Sequence, residues 1–209
     1  MSGEIRKLSE ATRSVDNEGV GLVMVGSFAP VHEGHLDAMQ SAEEAMLLSG
    51  ENVLASTFTP NSDSYVSIKL NDLDGAWNFD RRVKEFSRLK STTERSAYVD
   101  DVTGRTPPER SISEHAIENI SNRLGIEVCK LVLVVGADQI GSMRPHLESN
   151  RAICVLRPGW EAVVNRHSNE SWFLDAVESG RYIFTDRKNN TTDIQSTLMR
   201  RELEGLGSA

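Results

Sequence analysis

The stretch VGLVMVGSFAPVHEGHL, residues 20–36, decides the fold of this chain. Its first six residues, 20–25, carry no polar side chain, which predicts a buried strand. A glycine-containing loop follows. Beyond the loop, apolar residues recur at the spacing of one helix face: Leu36, Met39, Ala42 and Met46. Gly50 then gives a stop signal for that helix. A buried strand, a loop and an amphipathic helix in this order are typical of an α/β protein.

Strand-like and helix-like segments alternate along the rest of the chain. Further strands are predicted at 52–59, 130–135, 152–156 and 181–185, with a short one in SAYVDDV, 96–102. Helices are predicted over 78–90 and 111–124, near 139–148 and 170–179, and over 195–203, while 60–77 is predicted to be a long loop. This alternation predicts a Rossmann-like α/β fold, a doubly wound parallel sheet flanked by helices. Residues 1–18 are polar and are expected to form an N-terminal arm or short helix, with a single domain over 19–209.

Composition limits the classes of function. The chain has 209 residues, a formal net charge of −8 and a pI near 5.2, so a nucleic-acid surface, which would be basic, is not expected. A few local cations and backbone N–H groups still suffice to hold an anionic small ligand. No apolar run approaches the roughly 18 residues of a membrane span. Residues 1–18 also lack the apolar segment of a secretory signal.

The cysteine content favours a cytoplasmic protein. The chain has two cysteines, Cys129 and Cys154, each in an apolar, strand-like stretch. We expect two buried free thiols in a reducing cytosol, with one disulfide as the alternative. Two cysteines so placed do not complete a zinc site, and no metal site built from protein ligands is expected. The oligomeric state stays open, a homo-oligomer included.

The loop after the first strand has the residue types of a phosphate site. In doubly wound sheets, ligands bind beyond the carboxyl ends of the strands. Gly26 and Gly34 allow a close approach of the backbone, and the helix that begins near His35 directs its N-terminal N–H groups at the loop. His32 and His35 add side-chain donors, although capping of the helix is the plainer role for such histidines. The spacing of the two histidines does not match a zincin, no Gly-Lys-Ser/Thr of a Walker loop follows, and no dinucleotide fingerprint occurs. The missing fingerprint disfavours a dehydrogenase.

The segment GSFAPVHEGH, residues 26–35, resembles the G-x-F-x-P-x-H-x-G-H signature of the nucleotidyltransferase superfamily. Four further segments resemble nicotinamide and nicotinate mononucleotide adenylyltransferases, in family order: TPNSDSYVSIKL (59–70), VVGADQIGSM (134–143), AICVLRPGW (152–160) and TTDIQSTLMRREL (191–203). The resemblance implies that ATP, bound with Mg²⁺, donates an adenylyl group to the mononucleotide. The products would be NAD, or its deamido form, and pyrophosphate, which is a step of NAD biosynthesis.

The resemblance assigns roles to the loop residues. His35 would hydrogen-bond the reacting α-phosphate, and His32 would contact the phosphates beside it. Phosphates close to a histidine favour its charged form. The backbone at Ser27 and Phe28 would hold the acceptor phosphate or the adjoining ribose.

Residues of the later segments complete the expected ATP site. Asp138, after Gly136 at the end of a strand, would accept hydrogen bonds from ribose hydroxyls, or else cap the helix that follows. Ser196 and Thr197 would offer hydroxyls and N–H groups to the triphosphate, or else cap their own helix. Arg200 reaches the same face of that helix, and its guanidinium suits the leaving pyrophosphate.

The substrate side departs from the family pattern. Tyr65 and Lys69 are expected to contact a substrate, but Lys69 lies slightly out of the family register, and a solvated lysine is the alternative. Ala29 stands in place of an asparagine or aspartate, and Gln195 in place of the first serine of the closing motif.

The residue that should stack on the pyridine ring is also different. Val102 stands where the family commonly has a tryptophan, and Trp77 or Trp160 would have to replace it, unless both pack in the core or at its rim. Two alternatives therefore stay open. One is the same chemistry on another acceptor, such as phosphopantetheine or a flavin nucleotide, and the other is a nucleotide-binding relative without turnover.

Overall fold

A computed structural model describes residues 3–12, 18–71, 75–91, 96–105, 111–157 and 159–186. The strands are β1 (Gly3–Lys7), β2 (Val20–Gly26), β3 (Val53–Pro60), β4 (Lys90–Ser91), β5 (Ser96–Val99), β6 (Leu131–Gly136), β7 (Arg151–Leu156) and β8 (Tyr182–Asp186). The α-helices are α1 (Glu33–Leu48), α2 (Asp63–Leu70), α3 (Phe79–Phe86), α4 (Ile112–Leu124), α5 (Arg144–Leu147), α6 (Glu161–Asn165) and α7 (Ser171–Glu178). Short 3₁₀ segments lie at Leu8–Glu10, Thr103–Arg105, Val128–Lys130 and Ala137–Ser142.

The strands form one sheet in the order β4-β1-β5-β3-β2-β6-β7-β8. All neighbouring pairs from β1 to β8 in this order are parallel, and the two-residue β4 pairs antiparallel with β1 at the edge. After β2 the chain moves to β3 and then β5 on one side, and after α4 it returns to β6 on the other side. This Rossmann-like α/β architecture, with helices on both faces of a parallel sheet, confirms the predicted fold class.

Both faces of the sheet are buried, which explains the continuous apolar strands. Along β2 the side chains alternate: Leu22 and Met24 pack in the cluster that contains residues of α1, and Val23 packs in the cluster that contains residues of α4. Strands covered on both faces are expected to be apolar throughout. The strands predicted at 20–25, 52–59, 130–135, 152–156 and 181–185 are therefore confirmed, each to within one residue at either end.

The helix predictions are confirmed in part. The segment 111–124 is α4, with the Ser111 side chain accepting a hydrogen bond from the Glu114 N–H as its N-cap, and α1, α3 and α7 also lie where they are predicted. The predicted helix near 139–148 is divided into a 3₁₀ segment and the short α5. The predicted helix over 195–203 lies outside the described residues.

Three expectations are wrong in the described residues. The arm or short helix expected near the N-terminus contains β1, whose Ile5 is buried in the core, although the division at residue 18 stays a prediction. The long loop expected at 60–77 contains α2. Cys154 is a buried free thiol as expected, but Cys129 is exposed because it lies in a 3₁₀ segment rather than in a strand.

Within the described ranges, no helix has the length and apolar character needed to cross a bilayer.

The placement of β1 can be tested at Ile5, the side chain that this strand buries in the core. Replacing Ile5, which is 4% exposed, by alanine should lower the free energy of unfolding by about 2–4 kcal/mol, because a buried isoleucine leaves a cavity. The matched control is Ile68→Ala on α2, where the side chain is 84% exposed and little change is expected. Urea unfolding followed by far-UV circular dichroism measures both. Equal stabilities of the two variants would show that residues 3–7 do not belong to the sheet.

Candidate active site

A cavity of about 240 Å³ opens where the carboxyl ends of β2 and β6 lie side by side. The strand order reverses between these two strands, and ligands of open α/β sheets bind at such a point. The cavity is lined by the loops after β2, β6 and β7 and by residues of α1 and α2. Most of the predicted site residues line it: Gly26, Ser27, Phe28, Gly34, His35, Lys69, Gly136 and Asp138.

The loop after β2 is held by a buried ring. Phe28 has a φ of 47°, an uncommon conformation for a bulky residue, and its side chain is 1% exposed. The ring contacts Phe58 and Phe86 with centroid distances of 6.0 Å and 5.1 Å. A Cβ at Gly26 would lie 3.0 Å from the same ring, so glycine fits best there. Because the ring is anchored in the core, Phe28 fixes the position of this loop in the cavity wall.

His35 presents a defined hydrogen-bond donor. The backbone N–H of His32 donates to Nδ1 of His35 at 3.2 Å. A backbone N–H can only donate, so Nδ1 is unprotonated and the ring proton is on Nε2. The ring also packs against Phe28 at 4.9 Å and against His32 at 3.9 Å. The sequence predicts a charged histidine near phosphates, but this geometry gives His35 an N–H donor without any added proton.

His32 and Tyr65 do not line the cavity. His32 is 5% exposed, and its backbone and ring support His35. Tyr65 is 49% exposed on α2, and its ring lies 5.7 Å from Nζ of Lys69. Their predicted contacts with a substrate therefore stay predictions, and His32 has a supporting position rather than a place in the wall. Ser196, Thr197 and Arg200 lie outside the described residues.

The wall at the end of β6 places a carboxylate over a glycine. A Cβ at Gly136 would lie 2.6 Å from Oδ1 of Asp138, so the carboxylate occupies the space that a side chain at 136 would need. Gly136 begins the Ala137–Ser142 segment as its N-cap residue, and Asp138 is exposed. The position of the carboxylate thus depends on the missing Cβ.

Sequence reasoning missed Arg157, which lines the cavity and is a second cation there in addition to Lys69. It comes directly after β7, whose carboxyl end lies next to that of β6, and the rule about carboxyl ends could have indicated it. Among the described lining residues, the formally charged side chains are Lys69, Arg157 and Asp138. The cavity is therefore locally cationic although the chain as a whole is acidic.

Arg82 was also missed, although it does not line the cavity. Its guanidinium is buried and donates to the backbone oxygen of Ser27 at 3.0 Å. A signal was present in the sequence, since Arg82 lies on the same helix face as Phe79 and Phe86. A charged residue within an apolar stripe indicates a buried charge with a specific partner.

The tryptophans do not supply a ring to the wall. Trp77 is buried against Ala29 and Val66, and Trp160 packs partly buried against the core at the start of α6. Val102, which stands where the adenylyltransferases that the sequence resembles commonly have a stacking tryptophan, is 46% exposed. In the part of the chain that the structure describes, no group of His, Cys, Asp or Glu side chains is arranged to hold a metal ion.

The role of Asp138 can be tested through its neighbour. Gly136→Ala should displace the carboxylate and weaken binding of MgATP, the ligand that the sequence predicts, on the order of 10-fold, as loss of a hydrogen bond to a charged group does. The control is Gly141→Ala in the same segment, where the new Cβ would have an ordinary contact of 3.6 Å with His167. Titration calorimetry measures both affinities. Equal affinities would show that the space over Gly136 does not set the position from which Asp138 binds the ligand.

Comparison with known proteins agrees with this geometry. A family model described as cytidylyltransferase-like matches residues 23–202, which includes every part of the cavity wall. None of the curated proteins is similar enough to count as a match. The match extends over most of the chain, and the sheet has the architecture of that family. This chain therefore belongs to the cytidylyltransferase-like family of the nucleotidyltransferase superfamily, whose chemistry is nucleotidyl transfer.

Proposed function

We propose that this protein transfers an adenylyl group from MgATP to the phosphate of nicotinamide or nicotinate mononucleotide, giving the dinucleotide and pyrophosphate. One observation carries the proposal most directly: His35 lines the cavity at the N-terminus of α1, and its Nδ1 accepts from the His32 N–H, which leaves Nε2 to carry the donor proton. A helix N-terminus favours an anion. A donor fixed in the same place suits a phosphate that gains charge during the reaction.

The chemistry needs positioning and charge stabilisation rather than a covalent intermediate. A phosphate oxygen of the acceptor attacks the α-phosphorus of ATP, the new P–O bond forms, and the bond to pyrophosphate breaks. His35 donates to a non-bridging oxygen of the crowded α-phosphate. Lys69 and Arg157 offset the charge that the two substrates bring into the cavity. The Mg²⁺ ion enters the cavity as part of the MgATP substrate.

The end of β6 is the proposed site of the adenosine. The Asp138 carboxylate accepts hydrogen bonds from the ribose hydroxyls, and Gly136 leaves room for it. By resemblance to the family motif, Ser196, Thr197 and Arg200 bind the triphosphate and the leaving pyrophosphate. We also propose a cytoplasmic location, since an exposed free thiol such as Cys129 suits a reducing compartment.

A second acceptor class has its own support. Among the described lining residues there is no tryptophan, and Val102 leaves its position without an aromatic ring. A site that does not stack a pyridine ring suits an acceptor such as phosphopantetheine, which carries a phosphate but no aromatic base. The phosphate-binding residues and the reaction at the α-phosphorus stay the same for both acceptors.

The proposal is tested by pyrophosphate release. The protein with MgATP should release pyrophosphate when nicotinamide or nicotinate mononucleotide is present, and it should not do so without an acceptor. Phosphopantetheine and flavin mononucleotide complete the panel. Release with phosphopantetheine alone would move the assignment to that acceptor. Binding of MgATP without release on any acceptor would identify a relative that has lost turnover.

His35 should be essential for the rate. His35→Ala removes one donor to the developing charge, so kcat should fall by about 10²–10³-fold with little change in the thermal midpoint. The matched control is His167→Ala, because His167 hydrogen-bonds Glu170 at 2.6 Å and lies outside the described cavity wall. The control should keep the activity of the unmodified protein. A fully active His35→Ala protein would contradict the mechanism.

A further inference from the structure

Arg82 joins two walls of the cavity. Its side chain is fully buried, and all three guanidinium nitrogens donate. Nη1 donates to the backbone oxygen of Ser27 at 3.0 Å, in the loop after β2. Nη2 donates to Oδ1 of Asp63 at 2.8 Å, at the first residue of α2, and Nε donates to the backbone oxygen of Trp77 at 2.8 Å. One rigid, planar group therefore connects the loop after β2 with α2.

Asp63 is the counter-ion of the buried Arg82 guanidinium. Burial lowers the pKa of the Arg82 guanidinium, and the hydrogen bond and charge of Asp63 oppose that shift. The carboxylate end of the pair is 53% exposed, so the buried member is the arginine alone. A buried cation without a counter-ion is costly, so the buried guanidinium requires a partner such as Asp63.

Besides the ion pair, α2 has a small apolar contact with the core. Of its 8 residues, Val66 is buried and packs with Ala29 and Trp77, and Leu70 packs partly buried against the same cluster. A helix this short has little stability of its own, so its direction depends on its contacts. Lys69, which lines the cavity, is in the last turn of α2, and Asp63 is in the first turn. A rotation of α2 at Asp63 would therefore displace Lys69.

We propose that the Arg82–Asp63 ion pair positions Lys69 against the loop at residues 26–28 and so sets the shape of the phosphate site. Neither member of the pair touches the substrate. Asp63 acts through Lys69, and Arg82 also holds the backbone at Ser27. The inference rests on the proposed function in one respect, namely that Lys69 binds a phosphate of one of the two substrates.

A double-mutant cycle tests this claim. The variants are Asp63→Ala, Lys69→Ala and the double variant. Two probes are titrated by calorimetry: α,β-methylene-ATP with Mg²⁺, and nicotinamide or nicotinate mononucleotide. Lys69→Ala should weaken one probe by about 10–100-fold, the loss expected for a charge-assisted hydrogen bond. Asp63→Ala should weaken the same probe by about 3–10-fold. In the Lys69→Ala background, Asp63→Ala should change the affinity for that probe by less than about 2-fold, because Asp63 acts through Lys69 and coupled residues do not act additively.

Two further variants separate positioning from general loss of structure. Asp63→Asn keeps an oxygen that can accept from Nη2 of Arg82, so its affinity should lie between those of the unmodified protein and Asp63→Ala. Asp80→Ala breaks a second Asp–Arg pair with the same 2.8 Å distance, that of Asp80 with Arg105, whose two side chains are exposed. It should leave both affinities unchanged, since exposed pairs contribute little. Thermal midpoints of all variants are measured in parallel.

The results that would overturn this proposal differ from the result that would overturn the proposed function. The proposal is overturned if Asp63→Ala weakens binding by the same factor with and without Lys69, or if Lys69→Ala has no effect on either probe. It is also overturned if the Asp63→Asn protein, folded by circular dichroism, binds as weakly as Asp63→Ala. If the binding cycle shows coupling and no acceptor gives pyrophosphate, the proposed function fails while the positioning role of the pair stands.

Discussion

The reversal of strand order between β2 and β6 is the constraint on which the site depends. β3 and β5 lie on one side of β2, and β6, β7 and β8 lie on the other, so the chain leaves β2 and β6 in different directions. Two adjacent carboxyl ends then open a crevice between their loops. The topology fixes the place of the cavity, and the loop residues supply the chemistry. Gly26 and Gly136 end these two strands, and the structure uses the space above each of them for another residue of the site.

Much of the fold follows from the sequence because the sheet is covered on both faces. β2 and β6 are apolar throughout, and this signal needs no knowledge of their partners. β1 is different, since GEIRK carries a single large apolar residue, Ile5, and its strand conformation depends on pairing with β5. α2 was missed for a similar reason. It buries Val66 and part of Leu70, and the exposed Ile68 between them obscures the helical period of apolar residues in its sequence.

The site could be predicted where its chemistry lies in one short segment. The loop after β2 combines glycines and histidines next to a helix start, and most of those residues line the cavity. Arg82 could not be assigned a partner from sequence, because Ser27 is 55 residues away along the chain and Asp63 is 19 residues away. The sequence predicts that His32 contacts the phosphates, both from its residue type in the glycine loop and from the motif. Its place behind His35 depends on the backbone at the start of α1, which motif spacing does not define.

The hydrogen bond from His32 to His35 has a consequence for how the site handles charge. Because Nδ1 of His35 already accepts from a backbone N–H, the ring can donate from Nε2 in its neutral form. The donor therefore does not depend on a proton taken up when the substrates bind. Lys69 and Arg157, rather than the histidine, supply the positive charge in the described wall. An acidic protein can thus present a locally cationic cavity with fixed hydrogen-bond donors, without a basic surface.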